Sequence, residues 1–366
     1  MTRRERFFSC MNRTGYDKIP IQHHYGTPEF HRKLYDGLGI EKAQWKEACG
    51  DTFHEMPGCK YTHPTFNTPE ALAPYPEGSR FGLWGEVYTP QKYGSGDDAG
   101  EYGEATVLPF ADITDVAQLD DYHWPTADWF DYSEIHAKTV EAKSRDYIVK
   151  YTPFSYDFMN NIGRTRGVTQ TMIDIGLRDP VFMLLKKKRF EFHHEKDRRC
   201  LEAAQGEIDV VHFCEDLGSQ NGPLISPDTF EELFVPHFQA GFELAHKHGA
   251  LTMMHVCGGV RPLIPRLIEI GLDILDVVQV AAEGMELEGL VRDFGNDIVF
   301  AGSMCVQTIL ANGTPASVKK EVEKRLKLFE KGGLILGPSH DIQVHTPVEN
   351  VVAMYEGAGY LGDTWK

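Results

Sequence analysis

Nowhere in its 366 residues does the chain hold the ~18 consecutive apolar residues that a bilayer-spanning helix needs. The opening MTRRERFFSCMNR has no uninterrupted apolar stretch of signal-peptide length either, so a cytoplasmic protein that neither crosses nor docks on a membrane is expected. Positive charge is scarce. Against 54 Asp and Glu stand 37 Lys and Arg, a formal net charge of -17. Such a chain repels a phosphate backbone, and no Lys/Arg stretch interleaved with aromatics offsets this, which excludes DNA and RNA as partners. The only basic run, Lys186 to Arg189 followed by His193 and His194, is read as a solvated helix face, with a docking patch for an acidic protein as the alternative. Cysteine is sparse, seven scattered residues, which excludes a disulfide scaffold and implies reduced thiols. GxGxxG follows no strand run, so a dinucleotide-binding sheet loses its main support. Internal repeats and low-complexity segments are missing too.

What remains is an ordinary globular composition, 42% hydrophobic and 25% charged, able to bury a large core. From about residue 147 short apolar runs alternate with amphipathic stretches, the pattern of parallel strands joined by helices. The runs are YIVKYT (147 to 152), DVVHFC (209 to 214), LTMMHVC (251 to 257), DILDVV (273 to 278), DIVFAG (297 to 302) and LILGP (334 to 338). Between them, Ser226-Pro227 and Thr314-Pro315 are cap and first-turn signals for helices that Gly249 and Gly332 end. KIPIQ (18 to 22) is a candidate first strand, and an eighth must lie in the irregular stretch between. These observations favour α/β architecture as a single (β/α)8 TIM barrel over residues 1 to 366. Residues 50 to 130, rich in Gly, Pro and aromatics, are read as an excursion over the barrel mouth.

Catalytic residues of such barrels sit at the carboxyl ends of the strands. Those ends carry His23 and His24; Tyr156 and Asp157; Cys214, Glu215 and Asp216; His255 and Cys257; Gln279; Met304 and Cys305; and Ser339, His340 and Asp341. His255-Val-Cys257 is the sharpest of these signals, because alternate residues at a strand end face one side and can present an imidazole and a thiolate to one ion. A buried thiol beside a hydrogen-bonded histidine is the competing reading.

In four segments the chain resembles the uroporphyrinogen decarboxylase superfamily, which includes corrinoid-dependent (cobalamin) methyltransferases. They are EDLGSQNGPLISPDTF (215 to 230), HVCGGVRPLIPRLIEIGLDILDVVQ (255 to 279), FAGSMCVQTILANGTPASV (300 to 318) and GGLILGPSHDIQVHTPVENVVAMYE (332 to 356). TRRERFFSCMNRTGYDKIPI at the start is similar as well. Where the decarboxylase carries an arginine-bearing RQAGR segment this chain has IQHHYGTPEF, with Arg32 alone nearby, so the methyltransferase branch fits better.

That branch implies zinc held by the HxC pair, His255 and Cys257, and by a later cysteine in a PGC-like segment. The aligned GPSHDIQ places His340 at the cysteine, so the implied set is His255, Cys257 and His340, with Cys305 a rival third ligand. Glu215 or Asp216 would fill a fourth position, orient a ligand, manage a proton as the catalytic group, or simply cap the next turn. Tyr156, Gln220, Asn221 and Gln279 would orient the substrate or serve only as packed strand-end residues. The implied activity moves methyl from a small methoxylated or N-methylated compound to the cobalt of a corrinoid protein partner. Three alternatives stay open: methyl transfer from cobalamin to a thiol, a metal-free decarboxylase, and a non-catalytic corrinoid- or substrate-binding barrel.

Overall fold

A computed structural model describes residues 1–23, 25–56, 58–64, 66–153 and 156–361; His24 lies outside the described residues. Seven parallel strands form one sheet in chain order: β1 (Phe53–Glu55), β2 (Ile148–Tyr151), β3 (Val210–Cys214), β4 (Leu251–His255), β5 (Ile274–Val278), β6 (Val299–Met304) and β7 (Leu334–Pro338). All six apolar runs read from the sequence become strands β2 to β7. A continuous apolar run is what a parallel strand buried on both faces requires.

KIPIQ contributes a single extended bridge residue. Ile21 makes parallel bridges to Asp51, beside β1, and to Leu336 in β7, so both ends of the strand order meet on it. Gln22 N–H donates to Leu336 O (2.9 Å) and Thr52 N–H to Ile21 O (2.9 Å). The sheet is therefore curled in the manner of a TIM barrel.

Residues two apart along a strand face the same way, so the inside of the curl is built in levels. The lowest is apolar: Phe53, Ile148, Val210, Met253, Ile274, Val299 and Ile335 pack together with Phe7 beneath them. One step further along the strands come Glu55, Lys150, His212, His255 and Asp276, and one step beyond those Thr152, Cys214 and Cys257. Lys150 is fully buried and pairs with Glu55 at 2.7 Å. A second, larger core lies between the strands and the surrounding helices.

Two readings need correction. The stretch after Ser226 is two helices, Pro227–Leu233 and Val235–Lys247, because Pro236 has no N–H to continue the ladder. The basic run is only half solvated. Lys186 is buried, its ammonium donating to Leu233 O (2.6 Å), and buried Arg189 lies over the Trp84 ring and donates to Thr165. Trp84 belongs to the stretch read as an excursion, where Arg80–Phe81, Val87–Tyr93 and Gly100–Val107 form an antiparallel sheet. That sheet is tied to the strand-end side of the fold where Tyr93 hydroxyl donates to Glu29 (3.2 Å). No helix among the described residues is long and apolar enough to cross a membrane.

Candidate metal centre and cavity

At the carboxyl ends of the strands opens a cavity of about 700 Å³ whose walls include Tyr25, Asp157, Asn160, Asp216, His255 and His340. His255 ends β4, in register with Cys214 on one side and Asp276 on the other. Its Nε2 lies 3.0 Å from Cys257 Sγ. Ligand atoms of His255, Cys257 and His340 all fall within 4.8 Å of one another, as do those of Cys214, Asp216 and His255. Cys305 is buried and joins neither group.

Asp276 is the hub beneath this corner. It interrupts the apolar β5, is fully buried, and accepts from Gln22 Nε2 (2.6 Å) and from the Tyr25 hydroxyl. His212 Nε2 lies 3.0 Å from it. Burial alone would raise this carboxyl, but the bonds and charges of His212 and His255 hold it well below the usual range. Tyr25 also contacts His255 Nδ1 at 2.8 Å. Since its one hydroxyl proton goes to Asp276, the Tyr25 oxygen must accept from Nδ1–H. That tautomer leaves the Nε2 lone pair facing Cys257. Burial opposes charge on His255, yet Asp276 prevails and its pKa is raised. His340 is the reverse case, lowered by burial and then by His255. Its Nδ1 accepts from Asp341 N–H (2.8 Å), a contact it must release if either ring nitrogen is to meet an ion. Burial and Asp216 push the Cys257 thiol up.

The predicted acids divide. Asp216 faces the cavity, with Oδ1 3.7 Å from His255 Nε2 and Oδ2 accepting from Asn160 (2.9 Å). Its partial burial raises the pKa, but the bonds from Asn160 and Cys257 outweigh this and hold it low. Glu215 points away, fully buried, and accepts from the N–H groups of Phe158 (2.8 Å) and Met159 (3.2 Å) at the start of the helix Phe158–Arg166. Burial and then Asp157 raise its pKa well above the carboxylate range. Asp157, which sequence reasoning noted only as a strand-end residue, lines the cavity, and burial and Asp216 lift it to about 6.

The four residues expected to touch substrate are not gathered there. Tyr156 is packed among Phe158, Phe190 and Phe213, with its hydroxyl on His194 Nδ1 (2.8 Å). Gln279 accepts from Gly258 N–H and so fixes the turn behind Cys257. Gln220 and Asn221 are exposed between the paired strands Gly218–Ser219 and Gly222–Pro223. Tyr25, Asp276 and Asn160 were missed. Only Asp276 left a signal, a lone acid inside an apolar run.

Residues 202–359 match the family model described as uroporphyrinogen decarboxylase (URO-D). A methylated-thiol--coenzyme M methyltransferase of Methanosarcina mazei is 27% identical over 153 residues, 42% of this chain and 38% of that protein. The methylcobamide:CoM methyltransferase MtaA of Methanosarcina barkeri is 24% identical over 147 residues, 40% of each. The match thus spans about two fifths of the length of these curated relatives. A solved methyltransferase from Methanosarcina mazei shares the fold over 98% of both chains, with a TM-score of 0.63 at 16% identity. As the sequence resemblance implied, residues 202–359 match the uroporphyrinogen decarboxylase family, and the curated relatives carry the names of coenzyme M methyltransferases.

Proposed function

We propose that the protein is a zinc-dependent methyltransferase, a single (β/α)8-barrel domain over residues 1 to 366 working in the cytoplasm. It moves a methyl group from a small methoxylated or N-methylated compound to the cobalt of a corrinoid protein. The carrying observation is the meeting of His255, Cys257 and His340 donor atoms at one corner of the cavity, in a chain whose curated relatives are methyltransferases.

These residues suit zinc, which takes imidazole nitrogen and thiolate sulfur in a tetrahedron with edges of about 3.5 Å. The observed separations bracket that edge: 3.0 Å for the His255–Cys257 pair, and below 4.8 Å for all three donors. Zinc held there supplies a Lewis acid that makes the leaving heteroatom less basic. The remaining work falls to the chain. Tyr25 and Asp276 hold His255 in the tautomer whose Nε2 is free to bind. Asp216 stands beside His255 to take a fourth position or move a proton on the departing group, and Asn160 fixes its orientation. Glu215 acts at one remove, by capping the helix that carries Asn160 and Arg164 into the cavity wall. Gln279 sets the Cys257 turn, Tyr156 backs the site from the core, and Gln220 and Asn221 offer rim contacts. The Gly- and aromatic-rich stretch that follows β1, up to residue 130, would edge the mouth that must admit the corrinoid.

A second reading, methyl transfer from cobalamin to a thiol, is favoured by one observation: the names of the relatives pair methylcobamide, or a methylated thiol, with coenzyme M. Metal content tests what both readings share. Protein made in zinc-replete medium should carry about one zinc per chain. Less than about a tenth of an equivalent, with no rebinding after chelation, would overturn the metal-dependent reading.

A further inference from the structure

We infer that the cavity binds its small substrate through a cationic alkylammonium group seated against Asp157, with the methylated heteroatom turned toward His255, Cys257 and His340. This rests on the donor-to-cobalt reading above and names its substrate class. Asp157 is 5% exposed and lines the cavity, yet its Oδ1 has no hydrogen-bond partner. Asp216, half-buried in the same wall beside His255, adds a second carboxylate to that side of the cavity. Buried carboxylate oxygens normally find donors, because an unsatisfied one carries the full loss of its hydration. Asp157 Oδ1, facing the cavity with a second carboxylate beside it, marks the place where a ligand supplies the positive charge.

The rest of the wall agrees. Asp157, Asp216 and Asp341 face one guanidinium, Arg164, which is exposed and also donates to Asn161. Glu55 is already matched by buried Lys150. A divalent ion on the Cys257 thiolate would add a single net positive charge and leave the wall anionic. An anionic thiol would therefore enter against the local field, whereas an alkylammonium enters with it. Tyr25 and Met56 supply aromatic and apolar surface for its alkyl groups.

Isothermal titration of the full chain with choline and with 3,3-dimethyl-1-butanol, its uncharged isostere, tests this without cobalt. The wild type should bind choline at least about tenfold more tightly than the isostere, and Asp157→Asn should reduce that preference below about threefold. Equal binding of the two probes, or a preference that survives Asp157→Asn, overturns the inference. Should Asp157→Asn fail to fold, mercaptoethanesulfonate decides on the wild type: tighter binding of that anion than of choline overturns the inference, and the reverse order upholds it. Choline preference without methyl transfer to cobalt would refute the transfer reading alone. Transfer from uncharged donors without choline preference would refute the cationic seat alone.

Discussion

Removing the Glu215 carboxyl group should damage the fold before it damages any chemistry. The helix Phe158–Arg166 begins with two N–H groups that have no partner within the helix, and the Asp157 side chain makes no capping bond to them. Glu215 accepts from both, at 2.8 Å from Phe158 and 3.2 Å from Met159. Each buried donor left without an acceptor costs about 1–3 kcal/mol, so Glu215→Ala, which orphans two, should lose about 2–6 kcal/mol. Glu215→Gln keeps the volume and one acceptor oxygen and should lose about 1–2 kcal/mol. Against a typical stability of about 5–15 kcal/mol the first is severe and the second tolerable. Urea unfolding followed by tryptophan fluorescence measures both, with methyl transfer assayed in parallel on whatever remains folded. If both variants unfold within about 0.5 kcal/mol of wild type while transfer falls a hundredfold, Glu215 works on substrate and not as a helix cap.

His340→Ala should lower zinc occupancy severely and Cys305→Ser should leave it near wild type, as elemental analysis after dialysis against a weak chelator will report; the reverse result would make Cys305 the ligand. Tyr25→Phe frees His255 to adopt the other tautomer and should weaken zinc binding about 10- to 100-fold in a chelator competition, with little change in melting temperature. An unchanged affinity would mean that Tyr25 orients nothing. The hydrogen bond to Asp273 (2.8 Å) raises the pKa of His246 against its partial burial. Protonated His246 is therefore favoured in the fold, and this stability is complete below the ordinary histidine pKa and lost as pH rises through the raised one. The half-exposed pair is worth less than about 1 kcal/mol, so the urea-unfolding difference between wild type and His246→Gln should shrink from pH 5 to pH 9. A difference that grows with pH would contradict the assignment.

Strands β2 to β7 were legible because parallel strands buried on both faces must be mostly apolar, and the helix caps at Ser226 and Thr314 because orphan N–H groups select such residues. Strand β1 was not. Its Phe-His-Glu presents one apolar residue to the inner core and sends Glu55 to pair with Lys150, so it has no hydrophobic signature. The His255–Cys257 pair was readable because both members lie on one strand end. Tyr25 and Asp157 were harder, since they reach the cavity only through folding from segments far apart in the chain. Lys186 and Arg189 misled for a related reason: a charged side chain can be buried when its head finds a carbonyl or an aromatic face, and no helical periodicity shows that.

Transfer of methyl to cobalt tests the central claim most directly. Cobalt(I) and methyl-cobalt(III) cobalamins differ strongly in the visible spectrum, so reduced cobalamin can be mixed with the zinc-loaded protein and a panel of methoxylated and N-methylated compounds. The expected result is conversion to methyl-cobalt(III) that needs both donor and zinc and disappears in Cys257→Ala. If no donor reacts while methylcobalamin is demethylated by a thiol, the direction is reversed. If neither occurs and a porphyrinogen loses carbon dioxide, the methyltransferase reading itself is contradicted.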